Sequence, residues 1–196
     1  MQAIQKKDIE IFCPTSQQAW RQWLKQNHSS KHSVWLVLYK KESNRPTIAW
    51  SEAVDEALCF GWIDSKRKPV DKEKFIQFFS RRKSKGTWSK VNKEKVGQLI
   101  AEGLMTRAGL MSIETAKQNG SWTILDDVEE LKIPKDLAVE FKSKPGSKDF
   151  FLSLSKSVRK SILQWLVLAK RPETRKKRID EIAELAVQKL KPKQFR

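Results

Sequence analysis

The sequence predicts an α+β fold: a small three-stranded antiparallel sheet packed with helices, followed by a helical segment running to the C terminus. Three observations carry this expectation. The run Val34-Trp35-Leu36-Val37-Leu38-Tyr39 is β-branched and aromatic, and long enough for a buried strand. Two further strand-like stretches flank the turn Pro69-Val70-Asp71-Lys72 and read as a hairpin. From Ser89 onward, apolar residues recur at helical spacing, with Gly and Pro as stops.

In chain order, Thr15-Ser16-Gln17-Gln18 reads as a capping box with Thr15 as N-cap. The helix that follows puts Trp20, Trp23 and Leu24 on one face and ends near Asn27. The first strand covers 34–40, and Lys40 to Pro46 is a loop. Ser51 is placed as the N-cap of a second helix, with Glu52, Asp55 and Glu56 suited to the positive end of its dipole. Val54, Ala57 and Leu58 form its inner face and Gly61 ends it. The hairpin strands lie near 62–68 and 74–80. Beyond them, Val96, Leu99 and Ile100 form one helical stripe closed by Gly103. Leu110, Ile113 and Ala116 form the next, closed by Gly120.

Asp126 to Glu130 is an acidic connector. Pro134 opens a helix with Leu137 and Phe141 inward, and Ser143-Lys144-Pro145-Gly146 breaks it. Ser155 caps a helix bearing Val158, Ile162, Trp165, Leu166 and Ala169. Pro172 starts the last helix, whose stripe is Ile179, Ile182, Ala183, Ala186 and Leu190. Residues 1–125 form the expected α+β core and 126–196 a helical segment docked on it, as one structural unit because the connector is short.

Composition narrows the function. The chain has 196 residues, eight Trp and nine Phe, which suits a folded protein with one sizeable core. No apolar run approaches the roughly 20 residues of a membrane span. Met1 to Phe12 lacks the apolar centre of a signal peptide, so a cytoplasmic location is expected. Two cysteines, Cys13 and Cys59, make no disulfide framework. With His28 and His32 as the only histidines, there is no metal-ligand spacing, and no cofactor is expected. The net charge of +17 is concentrated in two segments. Residues 61–100 hold 12 basic and 4 acidic groups, and 151–196 hold 13 and 4. Such a balance favours an anionic ligand or polyanion, nucleic acid included, unless it is only a solvated surface.

Three constellations carry candidate chemistry. The first is Cys59, Trp62 and Asp64, a candidate pocket. Cys59 is a nucleophile only if a base lowers its pKa; otherwise it is a small buried apolar group. Asp64 is a base, or it pairs with the arginines that follow. The second is Arg81-Arg82-Lys83-Ser84-Lys85-Gly86-Thr87-Trp88-Ser89-Lys90. Its cations precede a helix start, where free N–H groups favour anions. Arg81, Arg82, Trp88, Ser89 and Lys90 are its candidate ligands, with Trp88 either stacking on a ring or filling the core. In the third, helical geometry turns Arg175 toward the protein body, with Arg171 and Arg178 beside the apolar stripe and Lys177 opposite. Arg175 and Arg178 join an anion site if the two basic segments converge. Arg175 otherwise makes a salt bridge, with Asp64 or Asp55 as the candidate partner.

These motifs together have a family look. Pro46-x-x-x-Trp50-Ser51-Glu52-Ala53-Val54-Asp55-Glu56-Ala57-Leu58-Cys59-Phe60-Gly61-Trp62-Ile63-Asp64 resembles the central signature of the YdeI/OmpD-associated, bacteriocin-protection-like family. So do Phe79-x-Arg81-Arg82-x-Ser84 and Trp88-Ser89-Lys90-x-Asn92. Trp165-x-x-x-Ala169-Lys170-x-x-Glu173-Thr174-Arg175-x-x-Arg178 is similar to its closing helices. The resemblance runs from about Phe12 to about Leu190 and departs at Ser65, where many members carry Gly. It implies an intracellular bacterial stress-protection protein and brings no catalytic residues and no cofactor.

Three functional classes follow. The first is a non-enzymatic protection protein with an anion-binding face. The second is a nucleic-acid-binding module, although no helix-turn-helix, RNA-recognition or zinc-finger pattern is present. The third is an enzyme acting on a phosphorylated or carboxylated small molecule through Cys59 or Asp64. A protein partner remains compatible with the first.

Overall fold

Trp20, Trp23, Trp62 and Phe79 come from three separate elements and meet in one aromatic core. The computed structural model describes residues 9–196. They group into two compact units: residues 9–86 with 91–122, and residues 87–90 with 123–196.

In the first unit, α1 (Gln17–Asn27) buries Trp20, Trp23 and Leu24, as its periodicity requires. Its N-cap is Ser16, not Thr15: Ser16 Oγ accepts the Ala19 N–H at 3.2 Å. The cap is therefore one residue later, Gln18 is the second helical residue, and the reciprocal glutamine contact of a capping box does not apply.

The sheet contains β1 (Ile11–Phe12), β2 (Ser33–Tyr39), β3 (Trp62–Pro69) and β4 (Lys74–Arg81), in the order β1-β2-β4-β3. The expected strands are all present, with β2–β4 and β3–β4 antiparallel. The expected three-stranded antiparallel sheet is nonetheless corrected to a four-stranded mixed one, because β1 runs parallel to β2. Two residues are too few for an alternating pattern to register in sequence. Phe12 helps hold β1 by stacking on Trp20 and Trp23 at 6.2 and 5.8 Å. In the hairpin turn, Asp71 Oδ1 accepts the N–H groups of Glu73 and Lys74 at 2.8 and 3.0 Å, an Asx arrangement.

Val34, Leu36, Leu38, Phe75, Gln77 and Phe79 point to one side of the sheet and are buried. There they meet α1 residues and α2 (Trp50–Cys59): Trp20 lies 5.4 Å from Phe79, and Trp23 lies 5.8 Å from Trp62. The buried indoles are satisfied, Trp20 Nε1 by the Ala53 carbonyl at 3.0 Å and Trp62 Nε1 by that of His28 at 3.3 Å.

The α2 cap also differs from expectation. Ser51 is the second helical residue, and Ala49 stands at the cap with its N–H donated to Glu52 at 2.9 Å. The N3 carboxylate needs only the cap's backbone N–H, so no cap hydroxyl is required. Gly61 follows the helix at φ +72°, the left-handed position that ends it.

α3 (Lys90–Ala101) buries Val96 and Leu99, while α4 (Arg107–Gln118) buries Gly109, Ile113 and Ala116. Ile100 and Leu110, expected inward, are 49% and 45% exposed. For α4 the reason is the bare Gly109, which lets α4 approach α2 and sets its inner face one residue away from Leu110.

The second unit is helical: α5 (Asp126–Glu129), α6 (Lys135–Ser143), α7 (Ser147–Ser153), α8 (Lys156–Val167) and α9 (Pro172–Val187). Its core joins Val128, Leu137, Phe141, Phe151, Ile162, Leu163, Leu166, Ile179, Ile182 and Ala183. Ser155 caps α8 and Pro172 opens α9, as expected. Leu190 lies beyond α9 and is exposed. The acidic connector is itself one helical turn that buries Val128, and α7 was not expected. Among the described residues, no helix is long and apolar enough to cross a membrane.

Candidate functional site

Cys59 lies at the end of α2 and is 1% exposed. Burial pushes its thiol up, and the neighbouring Arg21 guanidinium pulls it back only in part. This is the packing environment of the two weighed above. In a thiol-labelling assay on the native protein, the exposed Cys13 is expected to react readily. Cys59 is expected to react only after unfolding; prompt labelling of both would contradict the assignment.

Asp64 is half-buried on β3. Its Oδ2 accepts the indole N–H of Trp50 at 3.0 Å and the amide of Gln77 at 3.1 Å. The Arg82 guanidinium shares this neighbourhood. Its pKa is lowered to about 10 by burial, with the Asp64 carboxylate acting in the opposite direction. Trp62 is fully buried, its ring edge-on to Trp23. Asp64, Gln77 and Trp50 thus form a hydrogen-bonded cluster beside Arg82.

Arg81 closes β4 and ties down the loop after α1. Its Nε donates to the Lys31 carbonyl at 2.7 Å and its Nη2 to that of Ser29. The basic loop that follows is anchored at Ser84, whose carbonyl accepts from Asn119 Nδ2 at 2.7 Å and Ser121 Oγ at 3.3 Å. Lys83 and Lys85 on either side are exposed.

In the second unit, Trp88 is buried at 2%, the core-filling alternative for its ring. Ser89 is half-buried, and Lys90 is the exposed first residue of α3. Arg175 grips Asp136 with Nε and Nη2 at 2.6 and 3.0 Å, and its Nη1 reaches the Leu166 carbonyl at 3.3 Å. Asp55 and Asp64 are therefore not its partners; Asp55 binds Lys95 at 2.5 Å. Arg178 donates to the Trp165 carbonyl and lies over that ring at 4.7 Å. Two arginines of α9 thus satisfy carbonyls near the end of α8, where cations suit the helix dipole.

The Arg175 contact holds the Asp136 carboxyl below its ordinary value of 3.8, with the Leu137 N–H adding to it. A lowered carboxyl pKa stabilises above the unfolded value, and the gain is lost as pH falls through the folded value. Because Asp136 is 42% exposed, the pair is worth only about 1 kcal/mol. Arg175→Gln is expected to lower stability by that amount at neutral pH. In unfolding titrations, the difference from wild type should shrink as pH drops below 3.8. A difference independent of pH would contradict this.

The feature not anticipated from sequence is the other side of the sheet. The run from Val34 to Tyr39 reads as buried throughout, yet Trp35, Val37 and Tyr39 are only half-buried. Pairing places Trp35 opposite Phe78, Val37 opposite Ile76 and Tyr39 opposite Lys74. All six share this side, and the Trp35 and Phe78 rings meet edge-on at 4.9 Å. Lys68, paired with Ile76, lies over Trp35 at 4.9 Å, while Arg45 and Lys74 lie over Tyr39 at 5.9 and 5.8 Å. At the sheet's end, reaching round to the packed side where Leu38 and Phe75 lie, a groove of about 530 Å³ is lined by Tyr39, Lys40, Glu42, Trp50 and Arg67, among others. In sequence, only the cation count of 61–100 hinted at this surface.

A family described as "Domain of unknown function (DUF8412)" matches residues 12–112, just over half of the chain. The chain belongs to this family. A second family, described as "Bacteriocin-protection, YdeI or OmpD-Associated", matches residues 130–189. The YdeI/OmpD-associated resemblance is thereby shown over the segment that holds α6 to α9 and the Trp165 to Arg178 motif. The central motifs fall inside the DUF8412 match. No curated protein and no solved structure matches the chain.

Proposed function

We propose that this protein is a bacteriocin-protection-like stress-protection factor that acts without catalysis, by holding an anionic partner against the basic side of its sheet. The observation that carries the reading is the edge strand β3. Lys66 and Lys68 are exposed there and Lys68 lies over an outer-side ring, whereas Arg67 between them pairs with Gln77 and lies over Phe75 on the packed side. Lys83 and Lys85 extend the positive charge past the end of β4.

A simpler explanation of charged edge residues is that they block pairing with another sheet. That accounts for lysines and Pro69 on an edge strand. It does not account for aromatic rings on the solvent side beneath Lys68 and Lys74. Arg81 pairs with the buried Trp62 and its guanidinium is taken by the Lys31 and Ser29 carbonyls, so the proposed face rests on the cations of β3 and on Lys74. The family description at 130–189 supports the protection role.

Inorganic polyphosphate is the direct probe, since it offers charge without bases. The Lys66→Glu/Lys68→Glu double variant is expected to bind it about tenfold more weakly than wild type, because reversing charges removes phosphate contacts. Equal affinity for both proteins would overturn the reading.

A further inference from the structure

We propose that the solvent side of the sheet binds single-stranded nucleic acid, with unpaired bases stacked on Trp35 and Phe78 and phosphates held by the cations of β3 and β4. This rests on the anionic-partner reading above and specifies the partner.

In a sheet with one packed face, the solvent side ordinarily carries polar residues. Here the packed face holds Val34, Leu36, Leu38, Phe75 and Phe79. The opposite side holds Trp35, Val37, Tyr39, Ile76 and Phe78, every one half-buried and none buried. Its margin continues the pattern, since Ile11 of β1 pairs with Trp35 and is 65% exposed. Packing alone does not explain why two rings sit opposite each other on the wet side.

Cations outnumber acidic groups around those rings. Lys66 and Lys68 stand on β3, Lys74 on β4, and Arg45 beside Tyr39. The acidic groups nearby are Asp71 and Glu73 in the hairpin turn and Glu42, which lines the groove beside Tyr39. Asp71 is already engaged by the Glu73 and Lys74 backbone N–H groups and by the Lys74 ammonium at 3.5 Å. An acidic ligand therefore meets little repulsion, and a basic protein surface is disfavoured.

Rings flanked by cations match the chemistry of an unpaired strand. Each base offers a flat π-face, and each linkage offers one negative charge. A duplex hides its base faces, so the rings would add nothing to its binding. With about 3.3 Å per strand residue, Trp35 and Tyr39 stand roughly 13 Å apart along β2, room for two or three nucleotides. Lys68 now covers the Trp35 ring. A stacked base takes that place, and the released ammonium reaches the adjoining phosphate.

The test compares three probes on the full chain: a fluorescein-labelled dodecathymidylate, the same strand in a duplex, and inorganic polyphosphate. Trp35→Leu keeps the side chain apolar but removes the ring, and Trp35→Tyr restores one. For the single strand, Trp35→Leu is expected to weaken binding by about tenfold and Trp35→Tyr to recover most of it. Polyphosphate affinity should be the same in all three proteins, and thermal unfolding midpoints identify any variant that fails to fold. If Trp35→Leu is misfolded, Trp35→Tyr against Phe78→Leu makes the same comparison. If polyphosphate and single strand bind but neither responds to the ring variants, the stacking proposal is overturned and the anionic-partner reading stands. If no probe binds wild type, both fall.

Discussion

Gly109→Ala is expected to destabilise the sheet-bearing unit by about 3 kcal/mol, a large effect for the addition of one methyl group. A Cβ at Gly109 would stand 2.3 Å from the Cys59 carbonyl oxygen and 2.8 Å from its carbonyl carbon. Both are backbone atoms of α2, so relief requires the two helices to move apart. The same carbonyl accepts from Thr106 Oγ1 at 2.6 Å and from the Thr106 N–H at 3.1 Å, and these bonds would lengthen together. Thr106 is also the N-cap of α4, its hydroxyl accepting the Gly109 N–H. One substitution therefore disturbs a helix contact and a cap at once. Urea unfolding of the variant measures the loss. A variant as stable as wild type would show that α4 does not approach α2 so closely.

Arg21→Ala is expected to have an effect of similar size for an electrostatic reason. Glu56 is a carboxylate of α2 at 5% exposure. It is held by Arg21 Nη1 at 2.6 Å and Gln17 Nε2 at 2.8 Å. Arg21 Nη2 also donates to the Leu104 carbonyl at 2.8 Å, and its guanidinium lies 5.5 Å from the Phe60 ring centre. Removing the cation leaves a buried charge with one neutral donor, which costs about 3 kcal/mol. That is the lower end for buried pairs, because the Arg21 side chain is 34% exposed. If the stranded charge is the cause, Arg21→Met/Glu56→Leu should recover most of the loss, since an apolar pair needs no partner. A double variant as unstable as Arg21→Ala would locate the loss in packing instead.

The elements that were legible in the sequence are those with strong periodicity or a dedicated stop. The strands at Ser33–Tyr39, Trp62–Pro69 and Lys74–Arg81, the Ser155 cap and the Pro172 helix start belong here. What was hidden depends on partners distant in sequence. β1 exists only because β2 offers an edge beside the Phe12–Trp20 stack. The inner face of α4 depends on a close approach to α2 that Leu110 gives no sign of. The partner of Arg175, Asp136, lies 39 residues away, beyond any local rule. The candidate surface was half legible. Its cations stood out in the charge of 61–100, but an unbroken apolar run such as 34–39 reads the same whether one side or both are covered.

The central claim is that the basic side of the sheet holds a polyanion. Its most direct test is the affinity of the full chain for a labelled single strand, by anisotropy, at about 50 and about 200 mM salt. Wild type and the Lys66→Glu/Lys68→Glu variant are compared. The account predicts binding at the lower salt that weakens by at least tenfold at the higher, and a shallower salt dependence for the variant, which makes fewer phosphate contacts. Absence of binding at the lower salt, or a salt dependence identical in both proteins, would contradict it and leave the +17 charge as a solvated surface.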